Sequence, residues 1–477
     1  MSRFLVFIPL VLFMFYGCGS ATKMSGNAKY KLKQVISVND NILSFGKADI
    51  KGIIEKSTLS DLPKIGVFNN LIEECYRYLN VEDSLYFASE LLASNSINTY
   101  FILNVKNQDE LVEFLKGVGF SFEEKADVLI SSSKSLSIAI SDNLCILANN
   151  NLGLNTRTKT IDFIETSSFT FDKSNIINEI LDDNADIVTG LNLKSTIVGL
   201  NGLTESTNEI DRLFENSFIK SKVELNKGQI KVSTVHYLSN EIQKYLFLKE
   251  SNGEWIRKIA NKDFAAALSL NIDMGKLSMF VKNINPIIYE QLYNLSLFDL
   301  ATLKNSNEIQ NIFDGRLGCF LHSMPSKDHK YGVFSVFVGL GEKGAELIEL
   351  IKLIANKEGI IVSQMDKGVM LTLGNTSTQQ PQEKNIELNR IDFLGRKGIS
   401  MFINFGKLKY NFIATSTVEK ALINALESVK FELSSNGSML EINFKDKEKY
   451  ALSTVLNSIL ESYNFREVNT DSGDLIF

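Results

Sequence analysis

The strongest constraint in this chain is a local pattern that recurs. Four segments alternate apolar and polar residues and then break into a helix-like stretch: Asn41–Ile50, Asp186–Ser195, Phe264–Asp273 and Gly398–Lys407. Three of them carry an apolar-Asn-apolar triplet, namely Leu191-Asn192-Leu193, Leu270-Asn271-Ile272 and Ile403-Asn404-Phe405. Alternation with period two puts successive side chains on opposite faces, so each segment reads as a strand with one buried face. On that reading the asparagines point away from the core.

Longer matches follow the same order. Lys222-Val223-Glu224-Leu225 precedes Asn226-Lys227-Gly228 and then Ile230-Lys231-Val232. Lys430-Phe431-Glu432-Leu433 precedes Ser435-Asn436-Gly437 and then Leu440-Glu441-Ile442. Both predict hairpins with glycine at a position of positive φ. Phe101–Val105 leads into a helical Glu110–Leu115, as Phe334–Val338 leads into Glu346–Ile351. The matched segments lie roughly 210 to 235 residues apart, the mark of an internal duplication. The expected fold class is α+β: two duplicated halves, residues 41–250 and 251–477, each of mostly antiparallel sheet with packed helices. Trp255, the single tryptophan, falls in a short helix that introduces the second half.

The N-terminus carries different information. After Arg3, Phe4–Tyr16 is apolar and ends in Gly17-Cys18-Gly19-Ser20. The stretch is shorter than the roughly 20 residues a spanning helix needs, and Pro9 interrupts it, so residues 1–17 read as a secretory signal peptide. Small-residue–Cys resembles the end of a bacterial lipobox, although Phe15 and Tyr16 depart from its usual residues. Cys18 would then be the first mature residue, lipidated, and would attach the protein to a membrane through more than one acyl chain. The alternative is ordinary secretion with Cys18 incidental. Residues 18–40 read as a flexible tether, with Lys23, Lys29, Lys31 and Lys33 as its charges before Asp40. Gly19 in place of Asp favours the outer membrane, and no acidic cluster follows Cys18, which favours the periplasmic face.

Composition removes several classes. At 44% hydrophobic and net charge −6 the chain is not disordered, and a pI of 5.5 argues against nucleic acid as a partner. Cys75, Cys145 and Cys319 have no metal or redox spacing; Cys75 and Cys145 read as core residues, and a disulfide between them has no support. His322 and His329 flank a segment that reads as a turn between strands, not a metal site. Gly339-Leu340-Gly341-Glu342-Lys343-Gly344 has the form of a dinucleotide-binding turn, with Asp366 further on. The matching loop in the first half, Lys106–Asp109, lacks glycine, and the surroundings are hairpins and not βαβ units, so no cofactor is assigned. Asp182-Asp183 and Glu123-Glu124 read as solvated acidic pairs, and no catalytic residues are assigned.

The lipoprotein start, the Leu-Asn-Leu-Lys and Leu-Asn-Ile-Asp units and the length together resemble the Gram-negative envelope lipoproteins of the domain-of-unknown-function family numbered 4836. The resemblance implies an exported, lipid-anchored α+β protein and no reaction. The leading expectation is therefore a non-enzymatic envelope protein that binds a partner or serves as scaffold. The alternatives are a carrier of an apolar or glycan ligand in a cleft between the halves, and an enzyme whose acids come from distant parts of the chain.

Overall fold

The structure, a computed structural model, describes residues 27–58, 77–80, 82–92, 96–125, 127–133, 135–141, 143–165, 174–200, 207–259, 264–284, 312–323, 332–357, 359–365, 367–373, 392–408 and 416–462. The chain divides into two compact units. The first comprises residues 1–230, 236–239 and 448–477; the second comprises 231–235 and 240–447. The class is α+β, mixed helix and antiparallel strand with sheet predominating. Among the described residues, no helix is long and apolar enough to cross a membrane.

The first unit contains β1 (Ile42–Ala48), β2 (Leu85–Leu91), β3 (Ile97–Asn104), β4 (Glu123–Lys125), β5 (Val128–Ser132), β6 (Leu136–Ser141), β7 (Leu144–Asn150), β8 (Ile187–Asn192) and β9 (Phe218–Asn226). Their hydrogen-bonded order is β9-β8-β1-β2-β3-β7-β6-β5-β4, antiparallel throughout. Short turns set the register: Asp127 and Asn143 take left-handed φ values of 63° and 64° in the β4–β5 and β6–β7 connections, a conformation Asn and Asp tolerate.

Both faces of this sheet are covered. Even-numbered Tyr86, Ala88, Tyr100, Ile102, Ile146 and Ala148 face one core; odd-numbered Leu85, Leu103, Cys145 and Leu147 face another. The first core is closed by α1 (Asn27–Val38), α4 (Arg157–Glu165) and α5 (Ser174–Leu181). The second is closed by α2 (Ile50–Ser57) and α3 (Gln108–Gly117). Asp49 caps α2 through the Gly52 amide at 3.0 Å, and Asn107 caps α3 through the Glu110 amide at 3.3 Å. The strands therefore bury two faces where alternation alone predicted one. After β8 come α6 (Leu193–Leu200) and α7 (Asn208–Phe214).

Residues 27–38 correct the expected tether. They form α1, with Ala28, Leu32, Val35 and Ile36 buried at i, i+4, i+7 and i+8. The lysines between them form the polar face of the helix and mask the apolar stripe in the sequence.

The second unit takes Lys231–Val235 from β10 (Gln229–Tyr237), followed by α8 (Asn240–Gln243) and α9 (Glu254–Ile259). Its strands are β11 (Ala266–Asn271), β12 (Phe313–Ser323), β13 (Val333–Leu340), β14 (Ile361–Met365), β15 (Gly368–Leu373), β16 (Ile399–Asn404), β17 (Leu426–Ser434) and β18 (Gly437–Phe444). The order is β18-β17-β16-β11-β12-β13-β15-β14, again antiparallel. α10 (Met274–Ile284) follows β11, α11 (Ile348–Lys357) follows β13, and α12 (Thr417–Ala425) precedes β17 behind a Ser416–Glu419 capping box. One core gathers Trp255, Ile256, Phe264, Phe320, Phe337 and Phe402; a smaller one gathers Leu340, Ile348 and Val369. Trp255 stacks on Phe337 with centroids 5.2 Å apart.

Both ends of the expected second half, residues 251–477, move. Residues 240–250 join the second unit because Lys249 N donates to Asn271 O (3.0 Å) and Leu248 bridges Ile272. Residues from 448 onward join the first: α13 (Ala451–Ser462) packs on α2 and β9, and the Gly228 amide donates to Lys449 O at 2.8 Å. Of the two hairpin glycines, Gly228 has the expected positive φ, 64°. Gly437 has φ 158°, close to extended; glycine is needed there because a Cβ would lie 2.0 Å from the Thr234 carbonyl oxygen.

If α1 is a core helix, Leu32→Ala should lower stability by about 2–5 kcal/mol in urea unfolding. A flexible tether would give no change.

Candidate functional site

Several sequence-flagged residues lie outside the described part: Cys18, Cys75, His329 and Asp366. Cys145 is a buried free thiol in the α2–α3 core, and burial pushes it up to about 12. Cys319 is a half-buried free thiol on β12, also raised by burial. His322, on the same strand, is within hydrogen-bond distance of Ser335 Oγ (3.0 Å) and stacks beside Phe320. Glu123 and Glu124 lie on the exposed β4.

The Gly339–Gly344 turn is occupied by the chain itself. A Cβ on Gly339 would fall 2.1 Å from Asp314 Oδ1, and one on Gly344 2.4 Å from the Ile312 carbonyl oxygen. The Gly341 amide donates to that Ile312 oxygen at 2.8 Å. These glycines serve close backbone packing, and a carboxylate stands where a phosphate cradle would need donors.

Asp182 and Asp183 differ from the expected solvated pair. Asp182 is exposed and pairs with Lys29 of α1. Asp183 is largely buried and accepts from Lys220 Nζ (2.9 Å), Lys222 Nζ (2.7 Å) and the Ala185 amide (3.1 Å). Burial raises its pKa, but those three donors together outweigh burial and bring it down to about 2. Lys220 is itself buried and also donates to the Glu179 carbonyl (3.0 Å); Tyr237 donates to the Glu179 carboxylate. This cluster ties α5 to β9.

A second polar group lies under α4. Glu90 and Tyr100 are both buried, and Tyr100 Oη donates to Glu90 Oε2 at 2.7 Å. Asn39 Nδ2 donates to Glu90 Oε1 (2.9 Å), and Asn98 Nδ2 to Tyr100 Oη (3.1 Å). Asn150 Nδ2 donates to Asn98 Oδ1 (2.8 Å) and Ser96 Oγ (3.0 Å). Burial, then the neighbouring Glu90 charge, pushes the Tyr100 phenol well above its ordinary range, so it stays a neutral donor. Its ring stacks on Phe163 at 4.3 Å. The network also reaches Lys159 of α4, 3.9 Å from Glu90 Oε1, and fixes the strand ends beneath the helix.

The one apolar-Asn-apolar residue that is fully buried stands in the second unit. Asn192 and Asn404 accept from local amides, Ser195 N at 3.3 Å and Gly406 N at 3.0 Å, as strand-end turns require. Asn271 points inward, contrary to the expectation, with 2% of its surface exposed. Its Nδ2 donates to the carbonyls of Gly395 (2.7 Å) and Lys397 (2.8 Å), pinning the strap before β16. Its Oδ1 accepts nothing among the described residues. An unpaired buried acceptor costs about 1–3 kcal/mol. Asn271 lines a small hollow together with Lys249, Ser251, Ile272, Asp314, Gly315 and Arg316. Gly315 makes the hollow: its φ is 85°, and a Cβ would lie 1.8 Å from the Ile272 carbonyl oxygen, so only glycine lets the β12 bulge close on β11. Nothing in the sequence marked this place except the triplet itself. Among the described residues, no cluster of three or more His, Cys, Asp or Glu could hold a metal ion.

No family model matches the chain, and no curated protein matches it. Among solved structures the chain is similar to TP0453 in crystal form I, at 8% identity and TM-score 0.28, covering 46% of this chain and 81% of that one. Crystal form IV of TP0453 gives 6% identity and TM-score 0.27, covering 43% and 79%. Likenesses at this level carry no statement about fold or function.

Two measurements check the clusters. Asp183 has a folded pKa below its ordinary 3.8, so its contribution is present above that value and is lost as the pH falls toward about 2. Unfolding followed from pH 5 to pH 2 should show a steep loss in the native chain and a shallower one in Asp183→Asn. Tyr100→Phe removes one donor to a buried carboxylate and should cost about 1–3 kcal/mol in chemical denaturation.

Proposed function

We propose that this chain is a lipid-anchored protein of the bacterial envelope that works by binding or as a scaffold and not by catalysis. The observation that carries the reading is Gly17-Cys18 at the end of a short apolar stretch behind Arg3. The anchor is placed on the outer membrane, with the body on its periplasmic face, because Gly19 replaces Asp and no acidic cluster follows Cys18. Residues 19–26 span at most about 30 Å when extended, so the folded body starts close to the bilayer. The polar clusters support a non-enzymatic reading: Asp183 and Glu90 are consumed by lysines, amides and a tyrosine that hold helices to strands.

We further propose that the units are duplicates. Strands β8, β1, β2, β3 and β7 stand in the same neighbour order as β16, β11, β12, β13 and β15. The four alternating segments fall on β1, β8, β11 and β16, the Phe101 and Phe334 segments on β3 and β13, and the repeated hairpins on β9–β10 and β17–β18. The first unit carries an added hairpin, β4–β5.

Replacing Cys18 with Ser should move the protein from the membrane fraction to the soluble fraction. Continued membrane association of the variant would overturn the anchor.

A further inference from the structure

The sheet of the second unit ends in a strand with one open edge. At its other end, β18 is covered by the Lys231–Val235 part of β10. Among the described residues, β14 is hydrogen-bonded on one side only, to β15, in a regular register from Ile361↔Thr372 to Met365↔Gly368. Ile361, Ser363 and Gln364 are exposed, Ile361 at 48%.

The first unit has a strand in the corresponding place, and there the edge is covered. β6 and β14 each close a two-residue turn onto β7 or β15, the strand that pairs with β3 or β13. Asn143 and Lys367 take left-handed φ values in those turns, 64° and 52°. On the outer edge of β6 lies β5, antiparallel, with Leu129 opposite Ile140 and Ser131 opposite Ile138. Beyond it β4, Glu123-Glu124-Lys125, ends the sheet in three exposed charges, a common guard of strand edges. β14 has neither cover nor guard: Ile361-Val362-Ser363-Gln364-Met365 holds no charge, no proline and no bulge. The correspondence is one of observed strand order and holds whether or not the units share an origin.

We infer that β14 pairs with β14 of a second copy of this chain, antiparallel about a two-fold axis. The first unit shows that this position takes an antiparallel strand, and a two-fold supplies one of that polarity. Centred on Ser363, the pairing sets Ile361 against Met365 of the partner subunit and Val362 against Gln364 of the partner subunit, with no like charges opposed. β4, three charged residues long, offers no such match. A two-fold normal to the sheet also places both α11 helices on one face of the joined sheet, and on α11 Leu353 and Ile354 are 58% and 56% exposed.

The test is sedimentation velocity of the full chain in detergent over a concentration series. The native chain should pass from monomer to dimer as its concentration rises. Ser363→Lys and Ser363→Glu each set like charges face to face across the axis from an exposed position. Each should weaken the dimer at least about tenfold with an unchanged melting temperature. An equimolar mixture of the two variants should restore the dimer, because Lys then faces Glu. Both variants keep the N-terminus unchanged, so association through it would not distinguish them from the native chain. A native chain that stays monomeric up to about 100 µM, a dimer that both variants leave intact, or a mixture that stays monomeric would each overturn the proposal. None of these results bears on the membrane fractionation that tests the anchor.

Discussion

Each unit hangs on one strand that is hydrogen-bonded on both sides to strands distant in sequence. In the first, β1 pairs with β2 on one edge and with β8 on the other, about 140 residues on. Phe45, fully buried at its centre, sits opposite Gly190 of β8, where any Cβ would meet the Phe45 ring at 2.8 Å. In the second, β11 stands between β12 and β16 in the same way, with Ala267 opposite both Phe320 and Phe402. A bulky residue faces a small one across each central pair, so a slip of one residue would put two large side chains together. Without these pairings the hairpins on either side would have no common core.

The position of the helices follows from that arrangement. A sheet of nine antiparallel strands in the first unit has two faces rich in Ile, Leu and Tyr, and both are hidden by helices returning from the strand ends. Charges then mark where helix meets strand. Lys220 and Lys222 on β9 take Asp183 just past the end of α5, and Lys56 on α2 takes Asp186 at 2.5 Å just before β8. Asp186 also accepts from the Leu225 amide at 2.6 Å. Such partly buried pairs cost desolvation and return it through several hydrogen bonds at once, so they specify geometry more than they add stability.

The proposed anchor at Cys18 rests on a few adjacent side chains. The second unit carries a small hollow lined by Asn271 of β11, Arg316 of β12 and Lys249 of the segment before α9. The Asp183 and Glu90 side chains of the first unit are satisfied by their neighbours, while Asn271 Oδ1 accepts nothing among the described residues.

The sequence alone determined the local features: the strands at 42–48, 187–192, 266–271 and 399–404, the turn at Gly228, and the α+β class. Those depend on alternation and turn chemistry within a few residues, which a single chain displays. Tertiary structure decided the rest. The tether reading of residues 27–38 failed because a helix stripe spaced by lysines looks polar until a sheet is placed against it. The boundary near residue 448 was invisible because α13 follows the second set of strands in sequence yet packs on α2 and β9. Asn271 is buried where alternation predicts an outward side chain, because it is held by the strap at 395–397, over 120 residues away. Which face of a strand is buried, and whether one face or two, depends on what packs there, and that is set by contacts between distant residues.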